Sequence, residues 1–347
     1  MAAPPITCSI ELDAPGKRVG HLDLVWSDNI HAYGVIPVPI AVVANGAGPT
    51  VLITAGVHGD EYEGLVIVRR LMRELTPDAV SGRVILLPAV NLPAVRAASR
   101  VSPIDGMNMN RAFPGTDAAG PTALIADFIE RCLLPSVDYA VDLHSGGTQS
   151  FYTPCGYVYA FGNPAFRQRK LAAAHAFGAP LTAVVAATSS GGSLSAACER
   201  HGVVMIATEL GGGAVLDREG LRIGYQGTLA LLRHAGVLGN TAPSDDSKRR
   251  TAFCHVESRA SSVMTPIDGM LEHCGEVGER VAAGDLAGLV WPMDDPTREP
   301  LALHHRVDGI ILARRARPMV LAGDTICHTG RPVQDADFMD IAKGSER

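Results

Sequence analysis

His58 and Glu61 stand three residues apart in Gly56-Val-His-Gly-Asp-Glu-Tyr-Glu-Gly64, directly after the apolar run Thr50-Val-Leu-Ile-Thr54. Far along the chain, His144 follows another apolar run, in Val141-Asp-Leu-His-Ser-Gly-Gly147. Apolar runs that end in chemistry-bearing residues are the mark of strands in an α/β sheet, where sites form at the C-terminal strand ends. Two histidines and one carboxylate make a three-ligand zinc set with the fourth position open, the pattern of a catalytic rather than a structural ion. A lone His-x-x-Glu is more often structural, so the rest of the sequence has to decide.

The remaining pattern alternates strands and helices. Glu61 to Leu75 carries apolar residues at helical spacing (Leu65, Val68, Leu71, Met72, Leu75). Val84 to Leu87 reads as a strand, Pro121 to Leu134 as a helix opened by a proline, and Tyr139 to Leu143 as a strand. Leu181 to Ala186 and Val203 to Ala207 read as strands around a helix from Ser193 to His201, and Gly220 to His234 as a last helix. Val35 to Val43 and Val51 to Thr54, on either side of Asn45-Gly-Ala-Gly-Pro49, read as a hairpin. The expected fold is α/β, a mostly parallel sheet flanked by helices.

A polar stretch at 239–250 reads as a linker. It divides a catalytic domain, 1–238, from a small β domain, 251–347. The latter holds a weak repeat: Asp268-Gly-Met-Leu271 precedes Val281-Ala-Ala-Gly-Asp-Leu286, and Asp308-Gly-Ile-Ile311 precedes Val320-Leu-Ala-Gly-Asp-Thr325. Matched halves of this kind suggest a β-sandwich or barrel of the biotinyl/lipoyl type. A swinging-arm carrier needs a lysine between the halves, and none lies between 251 and 342. The expected role is to pack on the catalytic domain and shape its entrance.

Composition excludes several classes. The net charge is −6 and the arginines do not cluster, so no nucleic-acid partner is implied. No apolar run is long enough to span a bilayer, and the N-terminus lacks the basic and apolar regions of a signal peptide. The seven cysteines, odd in number and without a Cys-x-x-Cys pair, read as reduced thiols of a cytoplasmic protein. Homo-oligomerisation is left open.

Three further segments raise the weight of the metal reading. Glycines after His144 let backbone approach a ligand. Glu209, in Ala207-Thr-Glu-Leu-Gly-Gly-Gly213, is a carboxylate at another strand end, placed to act as general base and then general acid. Asn110 and Arg111, in Asn108-Met-Asn-Arg-Ala-Phe-Pro-Gly115, set an amide beside a planar cation that can grip a carboxylate. Arg100 is a second cation, suited to an oxyanion. Asp142 is a candidate partner for His144. Asp60 and Glu63 read as solvated or capping carboxylates, and the remaining histidines, His304-His305 included, as ordinary.

These blocks, with Ser102-Pro-Ile-Asp-Gly106, resemble the succinylglutamate desuccinylase/aspartoacylase family of the zinc carboxypeptidase superfamily, over about residues 35–330. Within it they are most similar to the N-acetyl-diaminobutyrate deacetylase-like branch. The resemblance implies a zinc-carboxypeptidase-like fold and one zinc per chain, held by His58, Glu61 and His144. It implies Glu209 as proton shuttle, Asn110 and Arg111 on the substrate carboxylate, and Arg100 on the scissile carbonyl. Two departures stand out. Aspartoacylases proper have Asp where this chain has Asn108, and the Arg100–Asn110 spacing is longer here. Thr148 to Phe166 and Thr188 to Ser195 also differ, and are read as lining the acyl or side-chain pocket. The expected activity is zinc-dependent hydrolysis of a small N-acyl amino acid. The alternatives are a carboxypeptidase, which needs a wide cleft, and an inactive binding protein, which needs a missing ligand or base.

Overall fold

The structure is a computed structural model that describes residues 6–27, 32–116, 120–186, 191–239, 250–257, 260–295 and 297–341. The first half of the chain supplies β1 (Ile6–Cys8), β2 (Gly16–Trp26), β3 (Gly34–Asn45), β4 (Thr50–Ala55), α1 (Glu63–Glu74), β5 (Gly82–Leu87), α2 (Leu92–Arg96), α3 (Pro121–Phe128) and β6 (Tyr139–Leu143). Then follow β7 (Ser150–Tyr152), β8 (Cys155–Tyr159), α4 (Pro164–Phe177), β9 (Leu181–Val185), α5 (Leu194–Arg200), β10 (Val204–Glu209) and α6 (Arg218–His234).

Apart from β7, these strands join one mixed sheet in the order β1-β2-β3-β5-β4-β6-β10-β8-β9. The run β5-β4-β6-β10 is parallel, with β3 antiparallel on one side and β8 on the other. Each of these parallel strands is apolar almost throughout because both sheet faces are covered by helices. Alternation along β4 shows it: Val51 and Ile53 pack with α1 and α6 residues such as Ile67, Leu71 and Leu231, while Leu52 faces Ile125 of α3 and Ala197 of α5.

The hairpin expected over 35–54 does not form. β3 and β4 do not pair with each other; β5 lies between them, antiparallel to β3 and parallel to β4, with Val84 opposite both Val43 and Val51. Neighbouring strands are about 4.8 Å apart, and the connection through Gly46 to Pro49 is long enough to step over one strand. The inserted position buries Val43, Val51 and Val84 together, which an exposed two-stranded ribbon could not do. The helix expected over 121–134 stops at Phe128 and continues as a π turn over Ile129–Leu133.

The C-terminal region comprises β11 (Ala252–Val256), β12 (Ser262–Met264), β13 (Gly269–His273), β14 (Arg280–Val281), β15 (Leu286–Trp291), β16 (Leu301–His304), β17 (Gly309–Arg315), β18 (Met319–Val320), β19 (Thr325–Val333) and α7 (Asp335–Ile341). A small antiparallel sheet, β16-β15-β13-β18, closes over a core of Val263, Leu271, Val290, Val320 and Ile326. β11 pairs with β9 and with β19, so hydrogen bonding runs unbroken from the large sheet into this region. Within the 239–250 stretch read as a linker, residues 240–249 lie outside the described residues.

The sequence repeat has a reciprocal structural meaning. Asp268 of the first half accepts a hydrogen bond from the Ala322 amide of the second half, at 2.7 Å. Asp308 of the second accepts from the Ala283 amide of the first, at 2.8 Å. Each turn is also closed by its own aspartate, Asp285 or Asp324, and carries a glycine at φ 94°, Gly284 or Gly323. The halves therefore lock each other, and β13 pairs with β18 just as β17 pairs with β14. Among the described residues no helix is long and apolar enough to cross a membrane, and all seven cysteines are free thiols.

Candidate active site

β4, β6 and β10 are adjacent and parallel, so their C-terminal ends open on the same edge of the sheet. His58 and Glu61 lie on the loop between β4 and α1, His144 is the residue after β6, and Glu209 ends β10. Gly59 lets this loop pass α2 closely: a Cβ there would stand 2.0 Å from the Ala94 carbonyl carbon. All seven residues singled out from the sequence (His58, Glu61, Arg100, Asn110, Arg111, His144 and Glu209) line one cavity of about 290 Å³.

His58 Nδ1 and His144 Nδ1 each lie 2.7 Å from one oxygen of the Glu61 carboxylate. One ligand atom from each residue falls within 4.8 Å of the others, and all three side chains are buried. This donor set fits a zinc ion: two imidazole nitrogens and a carboxylate oxygen converge, with the fourth direction toward the cavity. The charges fit too. Burial alone would raise the Glu61 carboxyl, but His144 and His58 outweigh it and hold it far below the usual range. Burial alone would lower His144, yet Asp142 and Glu61 hold it well above its ordinary value.

The distal nitrogens are also held. His144 Nε2 lies 2.8 Å from Asp142 Oδ2, and Asp142 Oδ1 accepts from the Thr54 hydroxyl at 2.7 Å. Asp142 is thereby the partner proposed from the sequence. His58 Nε2 lies 3.1 Å from Asn108 Oδ1, a contact sequence reasoning missed. Such outer contacts fix the imidazole tautomer and orientation.

Glu209 lines the same cavity, and among the described residues its Oε2 has no hydrogen-bond partner. Burial, with the Glu61 charge next, pushes its carboxyl up to about 8. A carboxylate that can hold a proton near neutral pH is what proton transfer needs. Arg100 is half exposed, with Nη1 3.4 Å from Glu61 Oε1, a contact at the limit of a hydrogen bond. Asn110 Oδ1 accepts from the Leu194 amide, and Arg111 Nη1 donates to the Asn110 carbonyl, with the Arg111 side chain exposed at the cavity wall.

Among the cavity residues not foreseen individually are Tyr152, Tyr157 and Tyr159. They fall within the 148–166 stretch assigned to the pocket. Burial pushes the Tyr152 and Tyr157 phenols up, so both stay neutral donors. β7, which ends on Tyr152, pairs with β17 of the C-terminal region, and the Tyr152 amide donates to the Gly211 carbonyl. Lys170 pins the end of β8 by donating to the Tyr159 and Phe161 carbonyls and to Glu199.

Asp60 and Glu63 correct an expectation. Neither is solvated: Asp60 is buried and accepts from the Thr148 amide, and Glu63 is buried and accepts from the Asp217 amide. They tie the metal-motif loop to the loops after His144 and Glu209. Of the 188–195 stretch, residues 188–190 lie outside the described residues, while Ser193 and Ser195 reach the cavity.

Comparison with known proteins identifies the family. Residues 47–235 match the model of the succinylglutamate desuccinylase/aspartoacylase catalytic domain. The chain belongs to the succinylglutamate desuccinylase/aspartoacylase family. It is therefore a member of a family of amide hydrolases. It is 35% identical over 327 residues to the N-alpha-acetyl-L-2,4-diaminobutyric acid deacetylase of Halomonas elongata, covering 93% of this chain and 94% of the relative. It is similar to the product-bound ectoine utilization protein EutE (DoeB) of Ruegeria pomeroyi (TM-score 0.90, 36% identity, 95% of this chain and 100% of that one). A family protein from Rhodobacter sphaeroides matches with a TM-score of 0.90 at 39% identity, over 95% and 100% of the two chains. Family members thus share the mixed sheet and the small C-terminal sheet.

Proposed function

We infer that the protein is a zinc-dependent deacylase of small N-acyl amino acids. The observation that carries this reading is the facing of two groups across one cavity: the buried His58–Glu61–His144 set, and Glu209 with an unpartnered oxygen. His58, Glu61 and His144 would hold the zinc, which would supply acidification of a water and polarisation of a carbonyl oxygen. Glu209 takes a proton from the attacking water and returns it to the leaving nitrogen as the C–N bond breaks. Arg100 donates to the carbonyl oxygen as negative charge develops there. Asn110 and Arg111 hold the α-carboxylate. The products are a carboxylate and a free amino acid, so atoms and charge balance.

Charge in the cavity bears on the substrate. Its wall holds Asp60, Glu61, Asp142 and Glu209 against Arg100 and Arg111. With Arg111 on the α-carboxylate and Arg100 at the scissile carbonyl, no further cationic side chain among the described cavity residues is left for a second substrate carboxylate. We therefore place N-acetyl-2,4-diaminobutyrate, the type of substrate named for the Halomonas relative, ahead of N-acetylaspartate or N-succinylglutamate. The cavity volume suits a small molecule, which disfavours the carboxypeptidase alternative. The C-terminal region shapes the entrance by holding Tyr152 through β17. We place the enzyme in the cytoplasm, with no nucleic-acid or membrane partner.

Turnover of these three substrates tests the assignment. N-acetyl-2,4-diaminobutyrate is expected to exceed both dicarboxylates in kcat/KM by at least about tenfold, since one lost charged pairing costs about 1.5–3 kcal/mol. Equal rates on N-acetylaspartate would overturn the charge argument. Arg111→Ala is expected to raise KM on the order of ten- to a hundredfold for free acids and to leave α-amidated substrates unchanged. An unchanged KM for free acids would remove Arg111 from the carboxylate site.

A further inference from the structure

Asn108 joins the metal site to the carboxylate site through a single atom. Its Oδ1 accepts from the Asn110 backbone amide at 2.9 Å and lies 3.1 Å from His58 Nε2. The first contact settles the second. A backbone N–H only donates, so the atom it meets is the amide oxygen rather than the nitrogen. An oxygen can only accept, so His58 Nε2 must carry the proton. With Nε2–H fixed in this way, a cation that took the place of the proton Nδ1 shares with Glu61 would meet the imidazole lone pair on Nδ1. Asn108 therefore selects the tautomer that lets His58 act as a ligand.

The same oxygen shapes the other site. Asn108 caps the short 3-10 turn Met109–Arg111, whose closing bond runs from the Arg111 amide to the Asn108 carbonyl at 2.9 Å. Met109 within the turn is fully buried, which anchors it. Asn110 and Arg111 project from this turn into the cavity. His144 has a different arrangement: a carboxylate, Asp142, holds its distal nitrogen, and that carboxylate is tied only within the sheet, to Thr54.

We propose that Asn108 is a positioning residue that couples zinc affinity to carboxylate binding, by orienting His58 and the Asn110–Arg111 turn with one oxygen. The inference rests on the zinc and clamp assignments above and goes beyond them. It makes the two affinities depend on one side chain, so loss of the Asn108 oxygen is expected to weaken both.

The test uses full-length Asn108→Ala and Asn108→Asp, with zinc affinity read by chelator competition. Binding of free 2,4-diaminobutyrate is read by calorimetry at saturating zinc, so neither measurement needs turnover. Asn108→Ala is expected to weaken zinc about 10–100-fold and the amino acid about tenfold. Asn108→Asp, which keeps an acceptor in place, is expected to restore both to within about threefold of wild type or better. Unchanged constants in Asn108→Ala overturn the proposal. So does weakened zinc with amino-acid binding intact, because one atom would then not serve both sites. If the alanine variant does not fold, Asn108→Asp decides: a tenfold loss in either constant contradicts the proposal. Wild-type protein that binds no zinc or no 2,4-diaminobutyrate would overturn the proposed function itself, whereas an unaltered alanine variant overturns only this inference.

Discussion

Glu209→Gln is expected to keep zinc and bind product, yet lose on the order of a hundredfold to ten-thousandfold in kcat. Glutamine is nearly isosteric with glutamate, and Glu209 Oε2 has no partner among the described residues whose loss would disturb folding. What disappears is the ability to take a proton. The raised carboxyl of Glu209 matters here, because a group held near 8 by burial and by Glu61 can both accept and return a proton near neutrality. A cation in the His–Glu–His set opposes the Glu61 contribution and draws the value down. The check is paired: zinc content and kcat on one preparation. Full zinc with near wild-type kcat would mean that another group moves the proton. Glu63, buried but committed to the Asp217 amide, would be the first to examine.

His144→Ala is expected to remove most of the bound zinc and, with it, activity. Two losses add. One of three ligands goes, and Asp142 is left as a buried carboxylate held by the Thr54 hydroxyl without its imidazole. Breaking a buried charged pair by removing one partner costs about 3–5 kcal/mol, so the variant should also melt at lower temperature. Elemental analysis and a melting curve measure both effects. A folded variant with undiminished zinc would remove His144 from the ligand set.

The candidate ligand set was legible as a cluster because each member sits at a strand end or on the loop after one, and because His58 and Glu61 are close in sequence. Strands β4, β5, β6 and β10 were equally legible, since a strand covered on both faces is apolar without interruption. Strands toward the margin of the sheet, such as β2 between the three-residue β1 and β3, lack that mark. β2 reads Gly-Lys-Arg-Val-Gly-His-Leu-Asp-Leu-Val-Trp, half exposed along its length, and gave no clear period. Helix α4 escaped because its apolar residues do not form one stripe and because Lys170 is buried within it, against Glu199 and the aromatic rings of Phe161 and Phe166.

What holds the ligands was less accessible. Thr54 reaches Asp142 across 88 positions, and Asn108 reaches His58 across 50. No spacing rule connects residues that distant; only the strand order does. The hairpin expected over 35–54 failed for the same reason, as β5 arrives from later in the chain to take the place between β3 and β4. Tyr157 and Tyr159 alternate along β8 with the period of a strand, the one local feature that marks them as sharing a face.

The most direct measurement is release of free amine from N-acetyl-2,4-diaminobutyrate by one preparation, before chelation, after metal removal, and after addition of one equivalent of zinc per chain. Activity is expected to fall to background on removal and to return with that single equivalent. Undiminished hydrolysis by zinc-free protein, or no hydrolysis by protein shown to hold zinc, would contradict a zinc-dependent deacylase.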